Sequence, residues 1–233
     1  MKVLVIGGMH GNEPLGIQLA ERLTNKPIKN VTAVIANTKA KQQNKRFTNT
    51  DLNRSFPGDD KSYEGKRAKE LLMLCQDFDL VLDFHNTHCP ENDCAFIGEK
   101  AGRYLLDAAS FISLKRVIVA DYDCINKYAT NCISVEISLD SPRNNVDGWL
   151  KTIEKLSSAQ TLPKAQDIIK YRFVYRMTLD DNARLNLDKI GLRAFNPVSD
   201  KIALKMEVQS PAYPIFIADQ YTPYNYGGLL NKL

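Results

Sequence analysis

The chain has 233 residues, is 44% hydrophobic and 25% charged, and carries a formal net charge of +4. That length suits one large globular domain, or a domain with a smaller appendage, able to bury a sizeable core. The charge is mild, with no run of five Lys/Arg and no stretch of about 18 apolar residues, so partnership with nucleic acid or a membrane gains no support.

"KVLVIG" (2–7) is a short apolar run ending in glycine, the mark of a buried strand. Its apolar part is too short for a signal peptide. "LGIQLAERL" (15–23) places Leu15, Leu19 and Leu23 at helical spacing, so the chain opens as strand, Gly-rich turn and helix. "NVTAVIAN" (30–37) is a second β-branched run, and "KSYEGKRAKELLMLC" (61–75) reads as a helix. "FDLVLDFHN" (78–86) is a strong strand. "CAFIG" (94–98) and "RVIVA" (116–120) read as strands with a helix, "KAGRYLLDAASFI", between them. "ISVEIS" (133–138) and "VDGWLKTIEKLS" (146–157) add another strand and helix. Alternating strands and helices predict an α/β fold, its sheet mostly parallel or mixed and covered on both faces. From residue 164 the pattern changes: "KYRFVYRMTL" alternates, and "KIALKMEV" and "YPIFIA" follow between turn residues. This predicts a domain over 1–163 and a small β-rich subdomain over 164–233. Five cysteines without a disulfide-framework spacing suit a reducing, cytoplasmic setting.

Open α/β sheets bind ligands beyond the carboxyl ends of their strands. There the unusual residues fall. The chain has only three histidines; His10 and Glu13 follow the first strand, His85 ends "LVLDFH", and Glu136 lies near the end of "ISVEI". Two His and one Glu make a standard catalytic zinc set with a position left open for water. Asp83, two residues before His85, shares its face of the strand and is placed to orient it. Glu136 is the candidate general base. The bland readings stand beside these: an H-x-x-E pair alone is weak, and "GGMHGNEP" lacks the dinucleotide pattern G-x-G-x-x-G. "NKRFTNTDLNRSFPG" (44–58) has no strong periodicity and carries Arg46, Asn53 and Arg54, which suit a carboxylate ligand. Alone it reads as a solvated loop rather than a site.

Taken together, "GGMHGNEP", "DLNRSFPG" and "DFHNT" resemble the three signature segments of the aspartoacylase and succinylglutamate desuccinylase family, of the zinc carboxypeptidase-like superfamily. "VEI" around Glu136 is similar to the segment with that family's catalytic glutamate, and "YPIFIADQYTPYNYGGLL" loosely resembles its closing segment. The resemblance implies one Zn²⁺ per chain held by His10, Glu13 and His85, with Glu136 as general acid/base. It implies Arg46 on the scissile carbonyl and its oxyanion, Asn53 and Arg54 on the substrate's α-carboxylate, and a tyrosine from the closing segment, Tyr224 in preference to Tyr221. Asp51, like Asp83, is a candidate for the layer behind the ligands.

The departures are as informative. Residues 121–135 contain no arginine for a substrate side-chain carboxylate; Lys127 is the one cation there, and a lysine is a point charge, not a fork. His88, Cys89 and Cys94 are further soft atoms, read as loop residues and spare thiols because a structural zinc site needs four close ligands. The expected activity is zinc-dependent hydrolysis of the amide of a small N-acyl amino acid, in a chain that is a possible homo-oligomer. Alternatives are a zinc carboxypeptidase acting on a peptide C-terminus and a non-catalytic carboxylate-binding protein.

Overall fold

The computed structural model describes residues 1–120, 122–221 and 225–233. Its first half alternates: β1 (Val3–Gly7), α1 (Pro14–Asn25), β2 (Val31–Ile35), α2 (Thr38–Gln42), a 3₁₀ turn (Leu52–Arg54), α3 (Tyr63–Cys75) and β3 (Leu80–Thr87). Then come β4 (Cys94–Gly98), α4 (Tyr104–Phe111), β5 (Arg116–Ala120), α5 (Ile125–Tyr128), β6 (Cys132–Ser138) and α6 (Val146–Ser158). The last third holds β7 (Ile169–Met177), α7 (Leu179–Leu185), α8 (Leu187–Ile190), α9 (Asp200–Lys205), β8 (Ala212–Ile215) and β9 (Gly227–Lys232).

The strands form one sheet in the order β2-β1-β3-β6-β4-β5-β7-β9-β8. The first four pair in parallel, β4 runs antiparallel to β6, and β5 and β7 are again parallel to their neighbours β4 and β5. The sheet is therefore mixed. Alternate residues of its strands feed two cores, as a period of two requires. Val3, Val5, Leu82, Phe84, Ile133 and Val135 meet α1, α4 and α6 on one face, where Phe84 takes the Trp149 ring edge-on at 4.9 Å. Leu4, Ile6, Val81 and Cys132 meet α3 and α5 on the other. Asp83, His85, Ser134 and Glu136 continue this second face, beyond the reach of its apolar cluster. No helix among the described residues is long and apolar enough to cross a membrane.

The C-terminal third departs from the β-rich reading in one element. "KIALKMEV" is not a strand; its first five residues belong to α9, and α7 and α8 precede it. Ile202, Ala203 and Met206 are buried on one side of this helix against Met177 and Leu229, while Leu204 is 77% exposed. The three strands of this region extend the main sheet: β7 pairs with β5, and β9 and β8 follow antiparallel.

Candidate active site

Four elements bring the site together. The turn after β1 carries His10 and Glu13, the end of β3 carries His85, β6 carries Glu136, and the segment ending in the 3₁₀ turn carries Arg46, Asp51, Asn53 and Arg54. The turn after β1 needs glycine for closeness. A Cβ on Gly11 would lie 2.1 Å from the Ala40 carbonyl carbon, and the Gly11 N–H donates to the Arg46 carbonyl at 3.2 Å. That contact locks the arginine loop to the histidine turn.

His10, Glu13 and His85 are all buried, and they offer ligand atoms within 4.8 Å of one another. Nδ1 of His10 lies 2.7 Å from Glu13 Oε1, and Nδ1 of His85 lies 3.0 Å from Oε2 of the same carboxylate and 3.3 Å from His10 Nδ1. The outer nitrogen of each ring meets a carboxylate: His85 Nε2 lies 2.8 Å from Asp83, and His10 Nε2 lies 3.2 Å from Asp51. A carboxylate on the far nitrogen orients an imidazole and directs the near nitrogen's lone pair inward. Asp83 in turn has the Ser134 hydroxyl at 3.1 Å. Two imidazoles and a carboxylate converging in this way fit a Zn²⁺ site.

The charges reinforce each other. Burial alone would raise the Glu13 carboxyl, but His10 and His85 outweigh it and hold the group well below the usual carboxylate range. Asp51 is likewise held down by His10, Arg46 and Arg54 against its burial. Arg46 reaches Glu13 at 3.2 Å and Asp51 at 3.5 Å, which ties it to the same cluster. Glu136 stands opposite His85 in the β3–β6 register and lines the cavity. Its carboxyl is pushed up to about 8, chiefly by burial, with Glu13 and Asp219 adding to the rise.

These residues line a cavity of about 540 Å³. Asn53 lies in its wall, where its side-chain oxygen accepts the Ile125 N–H at 3.3 Å and so leaves its NH₂ as a donor. The Arg54 guanidinium sits 4.8 Å from the centre of the Tyr122 ring and donates to the Asn53 carbonyl at 3.1 Å. Lys127 is not brought here: it lies exposed on α5, paired with Asp123 at 2.7 Å, and does not line the cavity. The spacing that suggested it reads distance along the chain, whereas α5 turns its side chain outward. Tyr224 lies outside the described residues. Tyr221 packs its ring against His88 at 4.4 Å, and burial pushes its hydroxyl up to about 12. Cys89 and Cys94 sit in the apolar cluster with Phe96 and Ile118, with burial raising both thiols, and neither joins the His–Glu–His group.

Tyr122, Phe173, Arg176, Phe216 and Asp219 also line the cavity, and the sequence reading did not single them out. Asp219 is buried and accepts hydrogen bonds from the Thr87 hydroxyl at 2.6 Å and the His88 N–H at 3.1 Å, joining the closing segment to the end of β3. "IADQ" within "YPIFIADQ" carries no signal for this, since its partner lies 132 residues away.

The family model described as the succinylglutamate desuccinylase/aspartoacylase catalytic domain matches residues 1–126. The chain belongs to this family. The N-acyl-aromatic-L-amino acid amidohydrolase (carboxylate-forming) of Rattus norvegicus is 33% identical over 135 residues, covering 49% of this chain and 42% of that protein. Its Homo sapiens counterpart is 36% identical over 113 residues, covering 40% and 35%. An aspartoacylase of Danio rerio is 34% identical over 110 residues, covering 37% and 34%. These matches thus span less than half the length of each curated relative. Among solved structures, the succinylglutamate desuccinylase of Chromobacterium violaceum superposes with a TM-score of 0.74 at 19% identity, covering 99% of this chain and 84% of that one. Murine aminoacylase 3 gives 0.71 at 23% identity, covering 100% and 95%. These likenesses establish the zinc carboxypeptidase-like fold for the family member described here.

Proposed function

We propose that this chain is a zinc-dependent amidohydrolase that removes the acyl group from a small N-acyl amino acid. The observation that carries the reading is the convergence of His10 Nδ1, His85 Nδ1 and the Glu13 carboxylate, with Asp51 and Asp83 behind the rings. The names of the curated relatives, amidohydrolases and an aspartoacylase, support the same class.

His10, Glu13 and His85 would hold one Zn²⁺, which would supply Lewis-acid activation of the carbonyl and of the attacking water. Glu136 accepts a proton from the attacking water and returns it to the leaving amine. Arg46 stabilises the negative charge that grows on the carbonyl oxygen. The Asn53 amide and the Arg54 fork hold the free α-carboxylate. Residues 1–163 hold the metal in this reading, and 164–233 act as a subdomain that closes the cavity with Phe173, Phe216 and Asp219. The five cysteines are buried and unpaired, which supports a reducing cytoplasmic setting.

The test is elemental analysis together with hydrolysis of a panel of N-acyl amino acids and short peptides. About one zinc per chain and turnover of N-acyl amino acids are expected. Glu136→Gln is expected to keep the zinc and lose on the order of 10² to 10⁴ in rate. Hydrolysis of peptides alone would assign a carboxypeptidase. Zinc-free protein with no loss of binding on mutating His10 or His85 would leave only a carboxylate-binding role.

A further inference from the structure

Five acids are buried among the described residues: Glu13, Glu64, Asp83, Asp181 and Asp219. Glu13 and Asp83 belong to the histidine cluster, Asp219 ties down the closing segment, and Asp181 forms the capping box of α7. Glu64 has no part in these. It stands in the first turn of α3, where the helix dipole favours a carboxylate. That position explains an acid but not its burial, which is costly unless hydrogen bonds offset it. Glu64 is 0% exposed, and its side chain turns toward the arginine segment. Its Oε1 accepts the Thr48 hydroxyl at 2.5 Å and the Asn49 N–H at 3.3 Å. Burial would raise the carboxyl, but these donors outweigh it and hold it below its ordinary value. Oε2 has no partner among the described residues.

The segment that Glu64 touches brings Arg46, Asn53 and Arg54 to the cavity wall. Its ends are tied. The Arg46 carbonyl accepts the Gly11 N–H, and Asp51 caps the 3₁₀ turn by accepting the Asn53 N–H at 2.9 Å. Between these ties, residues 47–50 make no backbone–backbone hydrogen bond among the described residues. The hydrogen bonds that join this stretch to another element there are the two to Glu64. The support behind them is firm. Ala68 and Leu71 of α3 are buried in the apolar cluster, and the Tyr63 hydroxyl lies 3.0 Å from that of Thr38. Arg67 donates to the Ala36 and Ile35 carbonyls at 2.8 and 3.1 Å.

We propose that Glu64 is a positioning residue: by holding Thr48 and Asn49 it fixes the segment that presents Arg46 and Arg54 to the cavity. Glu64 itself does not line the cavity. Its effect on turnover rests on the deacylase reading above, and its effect on the segment does not. A group misplaced by about 1 Å can cost on the order of 100-fold in rate, so a side chain outside the cavity wall can govern what the wall does.

Amide hydrogen exchange reads the segment directly. Glu64→Ala is expected to speed exchange of the Asn49 N–H at least about 10-fold, and Glu64→Gln, which retains an acceptor oxygen, to keep most of the protection. Kinetics of the zinc-loaded protein on the best N-acyl amino acid of the panel read the consequence. Glu64→Ala is expected to raise KM through Arg54 and to lower kcat through Arg46, each about 3- to 10-fold, and Glu64→Gln to recover most of both. A merely structural loss leaves less active protein, which lowers kcat and does not move KM. In an Arg54→Ala background, adding Glu64→Ala is expected to leave KM unchanged, because residues acting through one another do not add. Equal Asn49 exchange in wild type and Glu64→Ala, a loss confined to kcat, or a KM rise undiminished in the Arg54→Ala background overturns the proposal. If Glu64→Ala does not fold, Thr48→Val removes the same hydroxyl bond from its other end and is judged by the same directions in exchange and KM. If the wild type hydrolyses nothing, the deacylase reading fails and exchange alone decides: lost Asn49 protection upholds Glu64 as the anchor of the segment, and unchanged protection overturns it.

Discussion

Glu136 and His85 stand side by side on β6 and β3, and both hold a proton tightly in the metal-free fold. Burial raises the Glu136 carboxyl from an ordinary 4.5 to about 8. Burial acts against protonated His85, but Asp83, Glu13 and Glu136 outweigh it and raise the ring well above its ordinary value. A folded state that binds more protons than the unfolded chain loses stability as pH rises. The Glu136 share is lost between 4.5 and about 8, and the His85 share from 6.5 upward through its raised folded value. Glu13 and Asp51 have the opposite sign: held low, they stabilise the fold above the ordinary carboxylate range and lose that as pH falls through their depressed values. Metal-free protein should therefore be most stable near about pH 4.5–5, where the depressed carboxylates have gained their share and Glu136 has lost little of its own. Glu136→Gln should raise its stability at pH 8 by roughly 1–3 kcal/mol relative to pH 5. Urea denaturation in chelator at the two pH values checks this; an equal difference in variant and wild type would count against a buried, proton-holding Glu136. At this scale the sequence is legible where chemistry gathers at strand ends. His10, Glu13, His85 and Glu136 follow from run-and-turn logic, and Asp83 from a period of two. Arg176 does not, because one inserted residue, Val174, reverses the face that alternation assigns to it.

At the scale of elements, the site depends on how closely α1 approaches the sheet. A Cβ on Gly7 would lie 1.9 Å from the Gly16 carbonyl oxygen, so β1 and α1 touch backbone to backbone. The Leu15 N–H at the start of α1 donates to the Asn86 side chain at 2.9 Å, and the Asn86 N–H donates to Glu13 at 3.3 Å. Moving the helix therefore moves a proposed metal ligand. Gly7→Ala should push α1 outward, cost roughly 2–4 kcal/mol and weaken zinc binding. Denaturant unfolding and zinc competition with a chelator measure the two effects, and a variant with wild-type stability would show that the helix can give way freely. The buried strands are legible as short apolar runs, and α1, α3, α4 and α6 by their helical spacing. Residues 201–208 are not, because "KIALKMEV" satisfies both periods. Ile202, Leu204, Met206 and Val208 alternate like a strand, while Ile202, Ala203 and Met206 form a helical stripe. Packing against Met177 and Leu229 selects the stripe.

For the whole molecule, the consequence of joining the C-terminal strands to the main sheet is cooperative. β7 hydrogen-bonds along β5 from Arg116–Ile169 to Val119–Arg172, so the proposed boundary at residue 163 runs beside a continuous ladder. The apolar cluster there mixes Cys94, Phe96 and Ile118 from the first part with Tyr171, Ile215 and Leu230 from the second. Polar ties cross as well. Asn92 accepts the Phe216 N–H at 2.9 Å and Asp219 holds Thr87, the residue after Asn86 at the end of β3. Without the second part, β5 would become an open edge beside an uncovered apolar face, which favours aggregation over an independent fold. Sequence composition marks the change of pattern near residue 164 but carries no information on strand pairing across it, since register depends on partners far apart in the chain. Thermal unfolding of the metal-free chain should therefore show one transition, with calorimetric and van't Hoff enthalpies equal. Tyrosine absorbance, weighted toward the second part, and the fluorescence of Trp149, in the first, should report the same midpoint. Midpoints that separate would show that residues 164–233 melt on their own and that the shared ladder is too weak to couple the cavity's two walls.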